Sequence, residues 1–165
     1  VSQPDTSNQA EDIVRQTVDR YGDLLFDLCA TVLWSQSNAR AAIRVIIREI
    51  KKSRPANKYV LNERAWVFHI AYKHLMKMAK KLGRRLTPSE QIMLDAGLPP
   101  EARLSRFDSY FHRLPAESQA LLLMKDKYGF DFKEIAAIMS CPLDSVRLQR
   151  QQALGALAGL IWSNK

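Results

Sequence analysis

Phe132-Lys133-Glu134-Ile135-Ala136-Ala137-Ile138-Met139-Ser140-Cys141-Pro142-Leu143-Asp144-Ser145-Val146-Arg147 is the stretch that decides the fold. Asp131 just ahead of it, with Glu134 three residues on, has the form of a capping box, so a helix starts here. Ile135, Ala136 and Ile138 supply the apolar side of that helix. Ser140-Cys141 reads as a tight turn. Pro142 suits the first turn of a second helix, where its missing N–H is no loss, and the apolar pattern carries that helix to about Ile161. Two helices joined by so short a turn have the spacing of a helix-turn-helix. In that motif the second helix enters the major groove and its early residues meet base edges. The residues available there are Ser145, Arg147, Gln149, Arg150 and Gln151. Arginine can pair bidentately with guanine and glutamine with adenine. A plain helical hairpin has the same spacing, so the motif alone leaves both readings open.

Upstream, Gly129 ends a helix over about Ala116 to Tyr128 that Pro115 can open, and Leu104, Phe107 and Phe111 place another helix before it. Residues 86–102 hold Pro88, Pro99 and Pro100 around a short apolar Ile92-Met93-Leu94, the pattern of a linker carrying a small docking segment. Before it lie three more helical patterns. Val14, Val18, Tyr21, Leu25, Leu28 and Val32 recur at steps of three and four, which predicts a helix over Glu11 to Leu33. Ser37 or Asn38 can cap a second helix over Ala39 to Lys52, with Ala42, Ile43, Ile46, Ile47 and Ile50 facing inward. After a loop with Pro55 and Tyr59, a third helix over Asn62 to Leu82 turns Trp66, Val67, Ile70, Ala71, Leu75 and Met78 inward and stops at Gly83. The expected architecture is all-α, with two helical domains over 11–85 and 103–165 joined by a linker over 86–102.

Composition supports this. Of 165 residues, 47% are hydrophobic, enough for two cores, whereas only 6 are glycine, which argues against turn-rich β folds and Gly-rich phosphate loops. The net charge of +8 is unevenly spread: residues 1–32 sum to −4, residues 33–85 to +12 and residues 86–165 to zero. A block of that sign attracts polyanions by counterion release, and nucleic acid is the usual one. A merely solvated basic face is the alternative. Within the block, Lys58, Tyr59, His69, Lys73, Lys77, Lys80, Lys81, Arg84 and Arg85 are the candidate DNA contacts. Arg40, Arg44 and Arg48 fall at i, i+4 and i+8 and form one stripe. Like charges at that spacing repel, so local helix stability does not explain the stripe, and a partner is the expected reason for it.

Enzyme signatures do not occur: His69 and His74 are five residues apart, the wrong step for two ligands on one helical face, and there is no HExxH, CxxC, Walker loop or G-x-S-x-G. The reading predicts no enzyme, no metal and no cofactor. No apolar run approaches the roughly 20 residues of a membrane helix. The polar start Val1-Ser2-Gln3-Pro4-Asp5 predicts no signal peptide. Cys29 and Cys141, isolated in apolar settings, read as small hydrophobes of a reducing, cytoplasmic compartment. Trp34, Trp66 and Trp162 read as core or interface anchors.

Leu114-Pro115-x-x-x-Gln119-x-Leu121-Leu122-Leu123, Phe132-Lys133-Glu134-Ile135-Ala136 and Cys141-Pro142-Leu143-Asp144-Ser145-Val146-Arg147 together resemble the fourth region of extracytoplasmic-function (ECF) sigma factors, with Ala153 and Leu157 fitting its close. Tyr21 to Val32 is similar to the opening helix of that family's second region, and Ala65-Trp66-x-x-x-Ile70-Ala71 to its A-W-L-x-x-I-A signature. The resemblance implies a first domain that binds RNA polymerase core and opens the minus-ten promoter element, a second that places a helix in the minus-thirty-five element, and regulation by anti-sigma proteins. It also puts the loop from Ser53 to Leu61 where the family captures a flipped base, so that Tyr59 would stack on it. The chain departs from the family in three places. Ala39-Arg40-Ala41-x-x-Arg44-Val45-x-Ile47 stands where the family reads A-E-D-x-x-Q-E-x-F, Gln149 and Gln152 replace two arginines, and Lys73 replaces an asparagine. The first departure motivates the alternative expectation: an interaction module on the same scaffold, binding an anti-sigma protein, another regulatory partner or an anionic nucleotide in place of core polymerase.

Overall fold

Three helices form the N-terminal unit: α1 (Thr6–Leu33), α2 (Gln36–Lys52) and α3 (Glu63–Leu82). The computed structural model describes residues 6–53, 62–83 and 106–163, so the expected loop with Lys58 and Tyr59, the 86–102 linker, Arg84 and Arg85 lie outside the described residues. α1 buries Leu25, Leu28 and Val32, as the spacing predicts, with Cys29 beside them, but two turns earlier the inward position is Thr17 and Val18 is exposed. The Thr17 hydroxyl donates to the Ile13 carbonyl at 2.8 Å, which satisfies its one polar group and lets the residue enter the core.

α2 begins three residues before the expected start, and its cap is Ser35, not Ser37 or Asn38. Trp34 takes a positive φ of 53°, which turns the chain sharply out of α1. Ser35 is then extended, and its Oγ accepts from the Asn38 backbone N–H at 3.2 Å. Asn62 caps α3 through the Ala65 N–H at 2.8 Å, and Gly83, at φ 65°, closes it as expected.

Four helices form the C-terminal unit: α4 (Arg106–His112), α5 (Ala116–Leu122), α6 (Phe132–Met139) and α7 (Leu143–Ser163). The helix expected over Ala116 to Tyr128 is regular only as far as Leu122. Leu123–Lys127 is a widened π turn in which the Tyr128 N–H reaches back to the Leu123 carbonyl at 2.8 Å. Pro115 leaves its own N position without a donor. The fully buried Gln119 compensates, its Nε2 donating to the carbonyls of His112 and Leu114.

The two units share one hydrophobic core. Phe68 of α3 meets Phe130, just before α6, edge to face at 4.9 Å, and both are fully buried. Of the tryptophans, Trp66 is buried, while Trp34 is half-buried and stacks on His112 at 4.1 Å. Trp162 departs from the core expectation at 67% exposure, because α7 runs past Leu157, its last buried residue. The described residues are all-α: seven helices and no strand.

Candidate nucleic-acid interface

The helix-turn-helix is built from three local devices. Asp131 accepts from the Glu134 N–H at 2.8 Å while the Glu134 carboxylate reaches back to the Asp131 N–H, completing the capping box that starts α6. Ser140 adopts the left-handed conformation, φ 53° and ψ 47°, and its N–H closes the last turn of α6. The Cys141 N–H donates to the Ala136 carbonyl at 3.1 Å, and α7 begins two residues later.

α7 is held by Val146, Ala153 and Leu157, leaving most of its other side chains outside the core. Of the five candidate residues at its start, Arg147 and Gln151 are exposed. Arg147 lies 3.6 Å from the Asp144 carboxylate, with its guanidinium 5.6 Å from the centre of the Phe132 ring, so it is positioned but open to solvent. Ser145 and Gln149 are half-buried and bond to one another at 2.9 Å. Arg150 makes a two-point contact with Asp126 on the π turn, Nη2 to Oδ1 at 2.6 Å and Nε to Oδ2 at 3.2 Å. That pairing keeps its guanidinium cationic and fastens α7 to the turn before α6.

In the N-terminal unit, Lys73, Lys77, Lys80 and Lys81 are exposed on α3, and none has a carboxylate within ion-pair distance among the described residues. The same holds for Arg40, Arg44 and Arg48 on α2. His69 is placed differently: its Nδ1 hydrogen-bonds the Ile138 carbonyl at 2.9 Å, so it sits between α3 and α6. A shallow groove of about 420 Å³ is lined by Met76, Lys77, Ala79 and Lys80 of α3 and by Ala116 and Glu117 of α5.

Sequence reading misses the residues that join the two units. Arg64 pairs with Glu134 on α6, and its guanidinium lies 4.4 Å over the Phe130 ring. Asp27 on α1 accepts from Lys127 Nζ at 2.9 Å and from the Tyr128 hydroxyl at 2.6 Å. Burial, with the Asp27 hydrogen bond second, pushes the Tyr128 phenol well above its ordinary range. Burial likewise pushes the Cys29 thiol up to about 12, which makes it an unreactive core residue. Among the described residues, no group of three His, Cys, Asp or Glu side chains can hold a metal, and no helix is long and apolar enough to cross a membrane.

Residues 104–157, which contain this helix-turn-helix, match the family described as Sigma-70, region 4. Two solved structures share the fold of nearly the whole chain. The first is CnrH in complex with the cytosolic domain of CnrY, with a TM-score of 0.70 at 16% identity, covering 97% of this chain and 97% of that one. The second is the sigma factor RpoE in complex with the anti-sigma factor NepR from Bartonella quintana, with a TM-score of 0.64 at 16% identity, covering 92% and 98%. No curated protein matches the sequence. The chain thus carries a segment similar to Sigma-70, region 4, around its helix-turn-helix, within an all-helical fold like that of these two structures.

Proposed function

We propose that the protein is a transcription-initiation factor that holds promoter DNA with the outer side of α7 and the lysine face of α3 while docked on RNA polymerase core. The observation that carries this reading is a division of labour among its cations. Arg64, Lys127 and Arg150 are each engaged by a carboxylate in the fold, whereas Lys73, Lys77, Lys80 and Lys81 stand exposed with no carboxylate partner among the described residues. Unpaired cations on one helix supply sequence-independent phosphate affinity, and Arg147 with Gln151 supplies base-edge contacts.

Simultaneous contact with both promoter elements requires the units to part. Elements centred about 25 base pairs apart are separated by roughly 80 Å of duplex at about 3.4 Å per base pair. A compact chain of this length has a radius of gyration of only about 15 Å. The clasped arrangement is therefore a resting form. An anti-sigma protein is the natural partner to hold it, in keeping with the anti-sigma factor bound to the second structural neighbour.

Fluorescence anisotropy with a labelled duplex and a bubble template tests the DNA reading, and co-purification with core enzyme followed by run-off transcription tests initiation. Salt-insensitive binding, or no binding to either template, would overturn the first; failure of both polymerase assays with DNA binding intact would overturn the second.

A further inference from the structure

The outward face of α2 takes no part in the DNA contacts assigned to α3 and α7. The opposite side of the helix buries Ala39, Ala42, Ile46 and Ile50. At 3.6 residues per turn, Arg40, Arg44, Arg48, Lys51 and Lys52 fall within an outward arc of about 120°. All five are exposed, and none has a carboxylate within ion-pair distance among the described residues. Glu49, the one acid in the helix, lies off the arc, half-buried, and accepts from the Ser53 hydroxyl at 3.1 Å. Repulsion along the arc is therefore uncompensated among the described residues.

We infer that this face is a docking surface for an acidic helix of a partner protein. Charge complementarity requires an anion, and three features favour carboxylates on a helix. The core of the arc is arginine, whose planar fork matches a carboxylate at two points, whereas the face of α3 assigned to DNA is entirely lysine. Successive arginines are about 6 Å apart along the axis, the same step as acidic residues placed every fourth position on a second helix. Ala41, half-buried within the arc, and Val45, 36% exposed at its edge, provide an apolar patch that a peptide side chain can cover and a phosphate strand cannot use. The inference does not depend on DNA binding, because it concerns a different helix and a different ligand class.

The test is a titration of the ¹⁵N-labelled full chain with a synthetic helical peptide carrying glutamate at every fourth position and leucine alongside, and separately with a 20-base-pair duplex. The expected result is peptide-induced shifts centred on residues 36–52 and binding weakened at least tenfold in R44E/R48E. K77E/K80E should leave peptide affinity within twofold, and V45N should weaken it about threefold. Should R44E/R48E fail to fold, R44Q/R48Q keeps the helix and should still weaken the peptide severalfold. The inference is overturned if peptide binding is absent at low salt, is indifferent to both double variants, or maps to α3 or α7. It is equally overturned if the duplex, rather than the peptide, takes the α2 face. Loss of duplex binding with peptide binding intact would sink the DNA reading and support this one.

Discussion

Arg64 on α3 grips Glu134 on α6 through two charge-assisted hydrogen bonds, one of them from Nε at 2.7 Å, across 70 residues of sequence. The Glu134 side chain is 5% exposed and that of Arg64 39%. One carboxylate thus serves both the capping box that starts the helix-turn-helix and the joint between the units. Removing the arginine leaves a buried carboxylate unpaired, which is the expensive way to break such a pair. Arg64→Ala is therefore expected to destabilise the fold by about 3 kcal/mol, and Arg64→Ala with Glu134→Gln by less than the two single changes combined. Urea unfolding of the four proteins checks this, and an additive result would mean the pair is not coupled.

His74 makes stability depend on pH. Its Nε2 is buried without a hydrogen bond, and burial lowers its pKa from the ordinary 6.5; Glu49 on α2 partly opposes this, while Lys77 and Lys73 add to it. The unfolded chain therefore takes up the proton first as pH falls. The contribution of neutral His74 is complete above about pH 6.5 and declines below it. His74→Leu should flatten the fall in urea midpoint between pH 7.5 and pH 5; an unchanged slope would exclude His74 as its source.

Salt should weaken DNA binding steeply. Every phosphate that a lysine no longer neutralises takes about 0.9 off the slope of log K against log salt. Replacing Lys73, Lys77, Lys80 and Lys81 with glutamine should flatten the slope by up to about 3.6 if all four meet phosphates. Arg147→Ala should instead cost about 1–3 kcal/mol on a preferred site and much less on random duplex. Anisotropy titrations at several salt concentrations separate the two effects.

Ser140 holds a left-handed conformation that an L side chain adopts at a cost of about 1–2 kcal/mol. Ser140→Gly relieves that and forfeits part of the gain to unfolded-chain entropy. A net stabilisation of about 0.5–1 kcal/mol in thermal or urea unfolding, with DNA affinity unchanged, is the expected outcome.

The elements legible in the sequence are those fixed by local chemistry. Asp131 with Glu134, and Gly83, each act within one turn, and each lies where its type predicts, while Pro142 and Asn62 sit one residue outside the helices they are expected to begin. Ser35 escapes a reading by residue type because the turn that makes it a cap depends on the positive φ of Trp34, a conformation that tryptophan does not announce. The π turn is invisible because it leaves the apolar order of Leu121 to Met124 almost undisturbed. On the candidate interface, side-chain type names the cations but not their partners. Arg147 and Arg150 look alike in sequence, yet Asp126, 24 residues from Arg150, engages that residue alone. His69 looks like part of the lysine face until α6 supplies the Ile138 carbonyl.

The placement of Phe130 and Glu134 has a consequence for synthesis. A ribosome adding about 5–20 residues per second needs roughly 4–14 s to travel from Arg64 to Glu134. Until Phe130 has been added, Phe68, fully buried in the finished chain, lacks the ring that meets it edge to face. The first half must therefore survive on its own packing until its cover is translated, and a pause within the intervening stretch would prolong the period in which an aromatic side chain can stick to a neighbouring nascent protein.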